Sequence, residues 1–241
     1  MESTPLLRSL LGYYQAQRGD RAHKLALKNC FKEILQRNKI NVLLDVGAHM
    51  GETGAHFRSR WNFQGRIVSF EPIHEKFLQL QKKASKDPLW DCHHLALGNE
   101  TGEKKLTIFN NAYNSSFLKL HDFLAQECKL KATREELVRI QRLEDLYPTL
   151  CKPTDSVLLK IDTQGFEKPV LDGTGKCLPH VRLVKLEVSL VPLYKGETLI
   201  GEMIQYMGSK GFVPILIEPG HISEQFHQLQ VDLIFLNQTP L

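Results

Sequence analysis

Short, almost purely apolar runs alternate along this chain with segments whose apolar residues recur at helical spacing. This alternation restricts the fold more than any other feature of the sequence. Residues 42–44, 66–70 and 157–161 have the length and composition of buried strands. Strands that alternate with helices predict a mostly parallel sheet with right-handed crossovers. The chain is therefore predicted to fold as an α/β protein.

The same patterns outline the rest of the chain. The two closing strands have no helical segment between them, so they should pair antiparallel, and Pro214 should lie on an edge strand because it cannot donate to a ladder. Residues 111–150 are predicted as an insertion with a helix near 118–129 and a strand near 137–141. We divide the chain into an N-terminal helical extension, 1–40, and a main domain, 41–241. Further strands are predicted at 90–97, 106–108, 181–188, 212–217 and 229–236, and helices at 22–37, 73–84, 166–171 and 199–207.

Charge and cysteine content argue against several classes of protein. The formal net charge of +4 is too small to favour nucleic-acid binding. The five cysteines form no Cys-x-x-Cys pair, so neither a disulfide framework nor a zinc site is expected. No apolar run approaches the roughly 18 residues that a membrane span needs. We expect a cytoplasmic protein with reduced thiols, no nucleic-acid partner, no membrane span and no metal ligand.

The first candidate site is the sequence DVGAHMG at 45–51, where the first strand turns into a helix. Ligands of open α/β sheets bind beyond the carboxyl ends of the strands, which is where this turn lies. Gly47 lets a ligand approach the backbone, and Asp45 can accept a hydrogen bond from an ammonium group. Glu71 ends the second strand, where a carboxylate can bind ribose hydroxyls. The turn and Glu71 together predict a nucleoside site, although an ordinary turn that happens to hold glycines is the alternative for the turn alone.

The spacing of the glycines distinguishes two kinds of nucleoside cofactor. Dinucleotide sites usually carry Gly-x-Gly-x-x-Gly, whereas Gly47 and Gly51 are separated by three residues. Asp-x-Gly-x-x-x-Gly, which begins here at Asp45, is the adenosylmethionine form. The antiparallel closing pair also suits a methyltransferase sheet better than a dehydrogenase sheet. A nicotinamide-dependent oxidoreductase and a non-catalytic scaffold of the same fold stay open as alternatives.

More charged residues lie at the same edge of the predicted sheet. Lys160 and Asp162 share one strand face and can form an ion pair that sets the pKa of the carboxylate. Glu167 opens the next helix, where the helix dipole favours a carboxylate with or without a functional role. Glu187 lies near the end of an apolar strand, where a charge needs a partner or a wet cleft.

In the order and spacing of these motifs, the chain resembles the FkbM family of methyltransferases. The resemblance implies a Rossmann-like methyltransferase fold, with a mostly parallel seven-stranded sheet, an antiparallel terminal strand and a small β-containing insertion. It also implies methyl transfer from S-adenosylmethionine to a hydroxyl of a sugar, polyketide or other metabolite. The matching stretches, between about residues 40 and 236, are 45–51, 70–72, 96–98 with Gly102, 114–116, 160–167, 184–187 and 211–212.

The resemblance and the residues together assign the site. Asp162 is expected to orient or deprotonate the acceptor hydroxyl, with Lys160 beside it. The acceptor is expected to be a small molecule or a glycan. Family members often carry an acidic residue where this chain has Gln164, which argues against a metal or a base at that position. Cofactor binding is assigned to Asp45, Gly47, Ala48, Gly51, Glu71, Pro72 and Ala96, and acceptor binding to Asn114, Ser115 and Glu187.

Overall fold

The computed structural model describes residues 29–110, 114–127, 129–223 and 227–238. The chain divides into two compact units, Met1–Lys39 and Ile40–Leu241. In the first unit, residues 29–37 are helical, and the rest of the helix predicted at 22–37 lies outside the described residues. Within the described ranges, no helix is long and apolar enough to cross a membrane.

Ten strands and six α-helices account for most of the described residues of the second unit. Helices at Glu52–Trp61, His74–Ala84 and Glu167–Asp172 connect neighbouring strands of the main sheet, as the alternating sequence pattern predicts. The strands are β1 (Val42–Val46), β2 (Arg66–Phe70), β3 (Trp90–His93), β4 (Ala96–Leu97), β5 (Gly102–Phe109), β6 (Ala132–Gln141), β7 (Val157–Ile161), β8 (Val181–Ser189), β9 (Phe212–Pro219) and β10 (Gln230–Asn237). The helices are α1 (Glu52–Trp61), α2 (His74–Ala84), α3 (Asp122–Glu127), α4 (Leu143–Leu150), α5 (Glu167–Asp172) and α6 (Ile200–Ser209).

Seven strands form one sheet in the order β3-β2-β1-β7-β8-β10-β9. The first five pair in parallel, while β10 runs antiparallel to both β8 and β9. The predicted α/β class and the mostly parallel sheet with an antiparallel end are therefore confirmed. Pro214 lies on β9 at the edge of the sheet, and the ladder shifts register between Ile234 and Phe235, beside it. An edge strand tolerates the proline because one side of its backbone needs no ladder partner.

The central strands are buried on both faces, but they are not purely apolar. Every residue of β1 and β7 is buried. On one face, Leu44 and Leu159 join the main hydrophobic core. On the other face, Asp45 and Lys160 are direct neighbours in the β1–β7 register. Two charges at adjacent positions in the middle of the sheet require mutual pairing, since a lone buried charge is costly.

A second sheet of three strands, in the order β4-β6-β5, joins β6 from the predicted insertion to β4 and β5, which precede it. It corrects two predictions. The strand expected at 90–97 is two strands, because β3 pairs with β2 in the main sheet whereas β4 pairs with β6. The strand expected near 137–141 begins at Ala132. Its charged first half is held in the sheet because β5 pairs antiparallel with β6 along the whole length of β5. Helix α4 and a 3₁₀ helix at Gly175–His180 were not predicted.

Candidate functional site

Residues at the carboxyl ends of β1, β2, β7 and β8 surround a cavity of about 380 Å³, a volume typical of small-molecule sites. The strand order reverses between β1 and β7, which is where doubly wound sheets bind ligands. The small sheet adds an apolar wall through Ala96, Leu97 and Leu106. Among the described lining residues there are three acidic side chains and no lysine or arginine. The polar ones are His49, Glu71, Asn114, Ser115, Asp162, Thr163, Gln164, Glu187, His221 and Gln230.

The turn at 47–51 bonds its own backbone N–H groups to the protein. His49 N donates to Glu71 Oε2 at 2.8 Å, and Met50 N donates to Glu52 Oε2 at 3.1 Å. The N–H groups of the two residues before them donate to a carbonyl oxygen of β2. A phosphate-binding turn presents such N–H groups to its anion. Here two carboxyl side chains already occupy these donors, and they would repel a diphosphate.

Gly47 is required by the neighbouring strand end. Its φ is +75°, and a Cβ at this position would lie 1.9 Å from the carbonyl oxygen of Asp162. Lys160 Nζ lies 3.4 Å from the carbonyl oxygen of Gly47 and ties the same two strand ends together. From sequence we expected this glycine to admit a ligand, but the close approach of Asp162 is a sufficient reason for it.

Glu71 is held at the end of β2 by two backbone donors. Its Oε1 accepts from Ile73 N at 2.8 Å, while Oε2 accepts from His49 N. Burial raises the pKa of Glu71 to about 7, although these two hydrogen bonds oppose the shift. Each carboxylate oxygen can accept more than one hydrogen bond, so both retain acceptor capacity toward the cavity.

Lys160 joins two acidic side chains beneath the turn. Its Nζ lies 3.2 Å from Asp45 Oδ1 and 3.4 Å from Asp162 Oδ2. Burial lowers the pKa of Lys160, but the two acidic neighbours outweigh burial and raise that pKa above its ordinary value. Lys160 therefore stays a cation. Asp45 Oδ2 makes no hydrogen bond among the described residues.

Gln164 joins Asp162 to Glu187. Its Nε2 donates to Asp162 Oδ1 at 3.0 Å and to Glu187 Oε2 at 2.7 Å. Its Oε1 accepts from Tyr194, whose hydroxyl oxygen lies 2.9 Å away. Gln230 Nε2 donates to the same Glu187 oxygen at 3.0 Å. Two side-chain amides thus hold Glu187 at the rim of the cavity.

The structure brings together most, but not all, of the residues assigned from sequence. Asp45 and Lys160 lie in the strands beneath the turn, and Gly51 packs against Leu80 and Trp90. These three and Ala48 are not among the lining residues. Those that line the cavity are Gly47, Glu71, Pro72, Ala96, Asn114, Ser115, Asp162 and Glu187.

Sequence reasoning missed the amide side chains and the tyrosine that fix the acidic residues. Gln164 was set aside because it replaces an acidic residue, and Gln230 received no role within the strand predicted at 229–236. Tyr194 is 1% exposed, and its ring packs against Gly165. The available signal was position, since Gln164 lies just after β7, and Gln230 begins β10, whose antiparallel direction brings it to the carboxyl end of β8.

Comparison with known proteins gives one family match. The model described as the methyltransferase FkbM domain matches residues 45–214. This range contains the turn, Glu71, Asp162 and Glu187. No curated protein matches the sequence significantly.

Solved structures with the same fold include several methyltransferases. An FkbM methyltransferase from Methylobacillus flagellatus aligns at a TM-score of 0.51 and 16% identity, over 80% of this chain and 43% of that one. This chain therefore spans less than half of that protein. A Synechocystis magnesium protoporphyrin IX methyltransferase with bound S-adenosylmethionine aligns at 0.47 and 11% identity, over 90% of this chain and 80% of that one. At such identities the likeness concerns the fold alone.

Proposed function

We propose, since the chain belongs to the FkbM methyltransferase family, that it transfers the methyl group of S-adenosylmethionine to a hydroxyl group of a small molecule or glycan, such as a sugar or polyketide. The observation that carries the proposal is the cavity at the switch point of the sheet, which is lined by acidic side chains and, among the described residues, by no lysine or arginine. Such a lining suits a sulfonium cation and a neutral acceptor.

The turn supports adenosylmethionine rather than a dinucleotide. A nicotinamide cofactor carries a diphosphate, which needs free backbone N–H groups or cationic side chains. At 47–51 the N–H groups are bonded within the protein, two of them to Glu71 and Glu52. The residues present therefore fit a cofactor with a ribose and a positive charge, without a phosphate.

The cofactor is placed along the side of the cavity formed by β1, β2 and the small sheet. In this proposal, Glu71 accepts hydrogen bonds from the ribose hydroxyls, while Pro72 and Ala96 supply apolar contact. Asp45 and Gly51 act from behind the cavity by holding the turn, because neither lines it. Ala48 contributes its backbone N–H, which donates to β2 and fixes the course of the turn.

The reaction side of the cavity contains Asp162, with Asn114, Ser115 and Glu187 around it. Adenosylmethionine supplies a methyl group that is already activated by its positive sulfur. Positioning is therefore the main task of the protein. Asp162 accepts the proton of the acceptor hydroxyl or orients it, and Lys160 positions Asp162 by its ion pair. Ser115 Oγ, which is buried and makes no hydrogen bond among the described residues, is available to the acceptor.

We propose that transfer needs no metal ion. Gln164 Nε2 lies between the oxygens of Asp162 and Glu187 and donates to both. An amide donor thus occupies the position from which a cation would bind the two acidic groups. The cytoplasmic location predicted from sequence also stays part of the proposal, and the four described cysteines are free thiols.

Calorimetry tests the cofactor assignment. Adenosylmethionine should bind to the wild-type protein, and NAD should not. Glu71→Ala removes hydrogen bonds to a charged acceptor, which are worth about 1.5–3 kcal/mol, so Kd should rise about 10- to 150-fold. Exposed Glu202 on α6 provides the control, and Glu202→Ala should bind as the wild type does.

Two results would contradict the assignment. Unchanged affinity in Glu71→Ala would remove Glu71 from the ribose site, and tight NAD binding would overturn the choice of cofactor. Because Glu71 also accepts two backbone hydrogen bonds, thermal melts of each variant are needed to separate lost binding from lost folding.

A further inference from the structure

The side-chain amide of Gln164 holds two acidic groups at a fixed separation on the acceptor side of the cavity. Its Nε2 carries two hydrogens, and the geometry assigns one to Asp162 and one to Glu187. The reverse amide orientation would place Oε1 against both acidic groups and is therefore disfavoured. Asp162 and Glu187 are thus each within 3.0 Å of the same nitrogen atom.

Gln164 is itself fixed from three directions. Tyr194 is almost fully buried and donates its hydroxyl hydrogen to Gln164 Oε1. Ser116 Oγ donates to the Gln164 carbonyl oxygen at 2.7 Å. The backbone of Gln164 adopts φ +55°, which is uncommon for a residue other than glycine and persists only where its surroundings hold it. The amide therefore acts as a rigid spacer between the two acidic groups.

The two acidic groups have different surroundings. Asp162 has Lys160 Nζ 3.4 Å from its Oδ2 and is more than one-third exposed, so it faces both a cation and solvent. Glu187 directs Oε2 at two amide donors and has no ion pair with a cation among the described residues. Burial, followed by the charges of Asp162, Asp232 and Glu167, raises the pKa of Glu187 well above its ordinary value, and Lys160 opposes this shift only weakly. The titratable groups that face Glu187 are Lys160 and Asp162 from β7 and its turn, Glu167 from α5, Asp232 from β10 and Tyr194 from the loop after β8.

We infer that Asp162 and Glu187 form a mixed pair, one carboxylate and one carboxylic acid, that binds an acceptor through two neighbouring hydroxyl groups. This inference rests on the proposed function and specifies its acceptor. Asp162 accepts the proton of the hydroxyl that becomes methylated. The protonated Glu187 donates a hydrogen bond to the adjacent oxygen of the same molecule. Pairs of acidic groups whose surroundings separate their pKa values commonly divide such roles.

The transfer balances with these two groups alone. The acceptor oxygen forms a bond to the methyl carbon as the carbon–sulfur bond breaks, and the electron pair of that bond stays on sulfur. The hydroxyl proton passes to Asp162, while Glu187 keeps its proton throughout. The matching acceptor is an uncharged vicinal diol, as in a sugar or cyclitol. A phosphate or carboxylate on the acceptor would be repelled by the acidic lining of the cavity. The described lining residues include no lysine or arginine that could neutralise such a group.

Two substitutions of Glu187 distinguish an acid from a base. Glu187→Gln retains an oxygen for both amide donors and places an NH₂ group where the acid carries its O–H. We expect kcat/KM to fall only about threefold in Glu187→Gln, and about 10- to 100-fold in Glu187→Ala, which loses the hydrogen bonds. If Glu187 were an ionised base instead, Glu187→Gln would lose roughly 10²- to 10⁴-fold, and this result would overturn the inference.

The protonation state is also measurable without an acceptor. Carbon-13 NMR of protein labelled at the glutamate carboxyl carbon should show a resonance that titrates well above the ordinary range of a glutamate and is missing in Glu187→Gln. Titration of that resonance near the ordinary value of about 4.3 would overturn the mixed pair. Tyr194→Phe frees one side of Gln164, so it should shift this titration and the pH–rate profile. Tyr206→Phe, on α6 and bonded to Asp172, should shift neither.

The acceptor class is tested with myo-inositol, methyl glucoside, their monodeoxy analogues and their phosphate esters, using radiolabelled adenosylmethionine. We expect transfer to the neutral diols, with a loss of about tenfold or more when the neighbouring hydroxyl is removed. Preference for a phosphate ester, or no transfer to any neutral diol, would overturn the acceptor class. Calorimetry on the wild-type protein distinguishes failure of the proposed function from failure of this inference. If adenosylmethionine does not bind, the proposed function is wrong. If it binds but no neutral diol is methylated, only this inference is wrong.

Discussion

Replacement of Gly47 by alanine should separate the ends of β1 and β7, and its cost can be worked out from two glycines of this chain. Gly47 has φ +75°, and its Cβ would lie 1.9 Å from the Asp162 carbonyl oxygen. Gly196 has φ +83°, but a Cβ there would meet nothing within 4 Å. The Gly196→Ala variant therefore measures the backbone strain alone, whereas Gly47→Ala adds the steric overlap.

The expected magnitudes follow from these two contributions. Left-handed backbone costs alanine about 1–2 kcal/mol, offset by about 0.4–1 kcal/mol from a less flexible unfolded chain. Gly196→Ala should thus lower the free energy of unfolding by about 0–1.6 kcal/mol. The overlap in Gly47→Ala adds about 1–3 kcal/mol, as overpacking in a dense interior does. It should also displace Asp162 from its reacting position, and a displacement of about 1 Å can cost on the order of 100-fold in rate.

Urea denaturation of both variants measures the difference directly, and single-turnover transfer measures the effect on rate. The wild-type protein provides the reference for both assays. The two variants could instead lose the same free energy of unfolding to within about 0.5 kcal/mol. In that case the contact with Asp162 would not be the reason that position 47 requires glycine. Unchanged turnover in Gly47→Ala would show that the position of Asp162 does not depend on this contact.

Two further variants test the acidic groups. Asp162→Asn should leave adenosylmethionine affinity nearly unchanged while single-turnover transfer falls roughly 10²- to 10⁴-fold, and a parallel loss of affinity would place Asp162 in the cofactor pocket instead. Burial raises the pKa of Glu167 to about 7, so the stability that its protonated form contributes is present below about pH 4.5 and is lost as the pH rises to about 7. Since all three hydrogen bonds described for the Glu167 carboxyl go to Oε1, Glu167→Gln can keep them. The stability of Glu167→Gln relative to the wild type should therefore increase by roughly 2–3 kcal/mol between pH 5 and pH 8 in urea titrations, and parallel pH profiles would contradict the shift.

Two elements of the insertion show why local sequence was insufficient there. Helix α4 contains Pro148, which normally indicates a loop, but its Leu143, Tyr147 and Leu150 are buried and anchor this short helix on the core. The first half of β6 is exposed and charged, so it lacks the alternation of a strand. It extends because β5 supplies a ladder partner for every residue of this half except Thr133, where the register shifts. In both cases the stabilising contacts come from residues distant in the chain.

The sequence alone determined the sheet and the edge at which the site lies. Apolar runs such as those of β1 and β7 are stable only when they are buried between helices, and parallel strands bring their carboxyl ends to one edge. The proximity of the turn at 45–51 to Glu71 and Asp162 follows from these two facts. Only the tertiary structure decided what each residue does there. Lys160 was placed beneath the turn, and Gln164 between two acidic groups, because hydrogen bonds and ion pairs depend on distances of a few ångströms between residues far apart in the chain. Such distances are set by packing, and no local pattern encodes them.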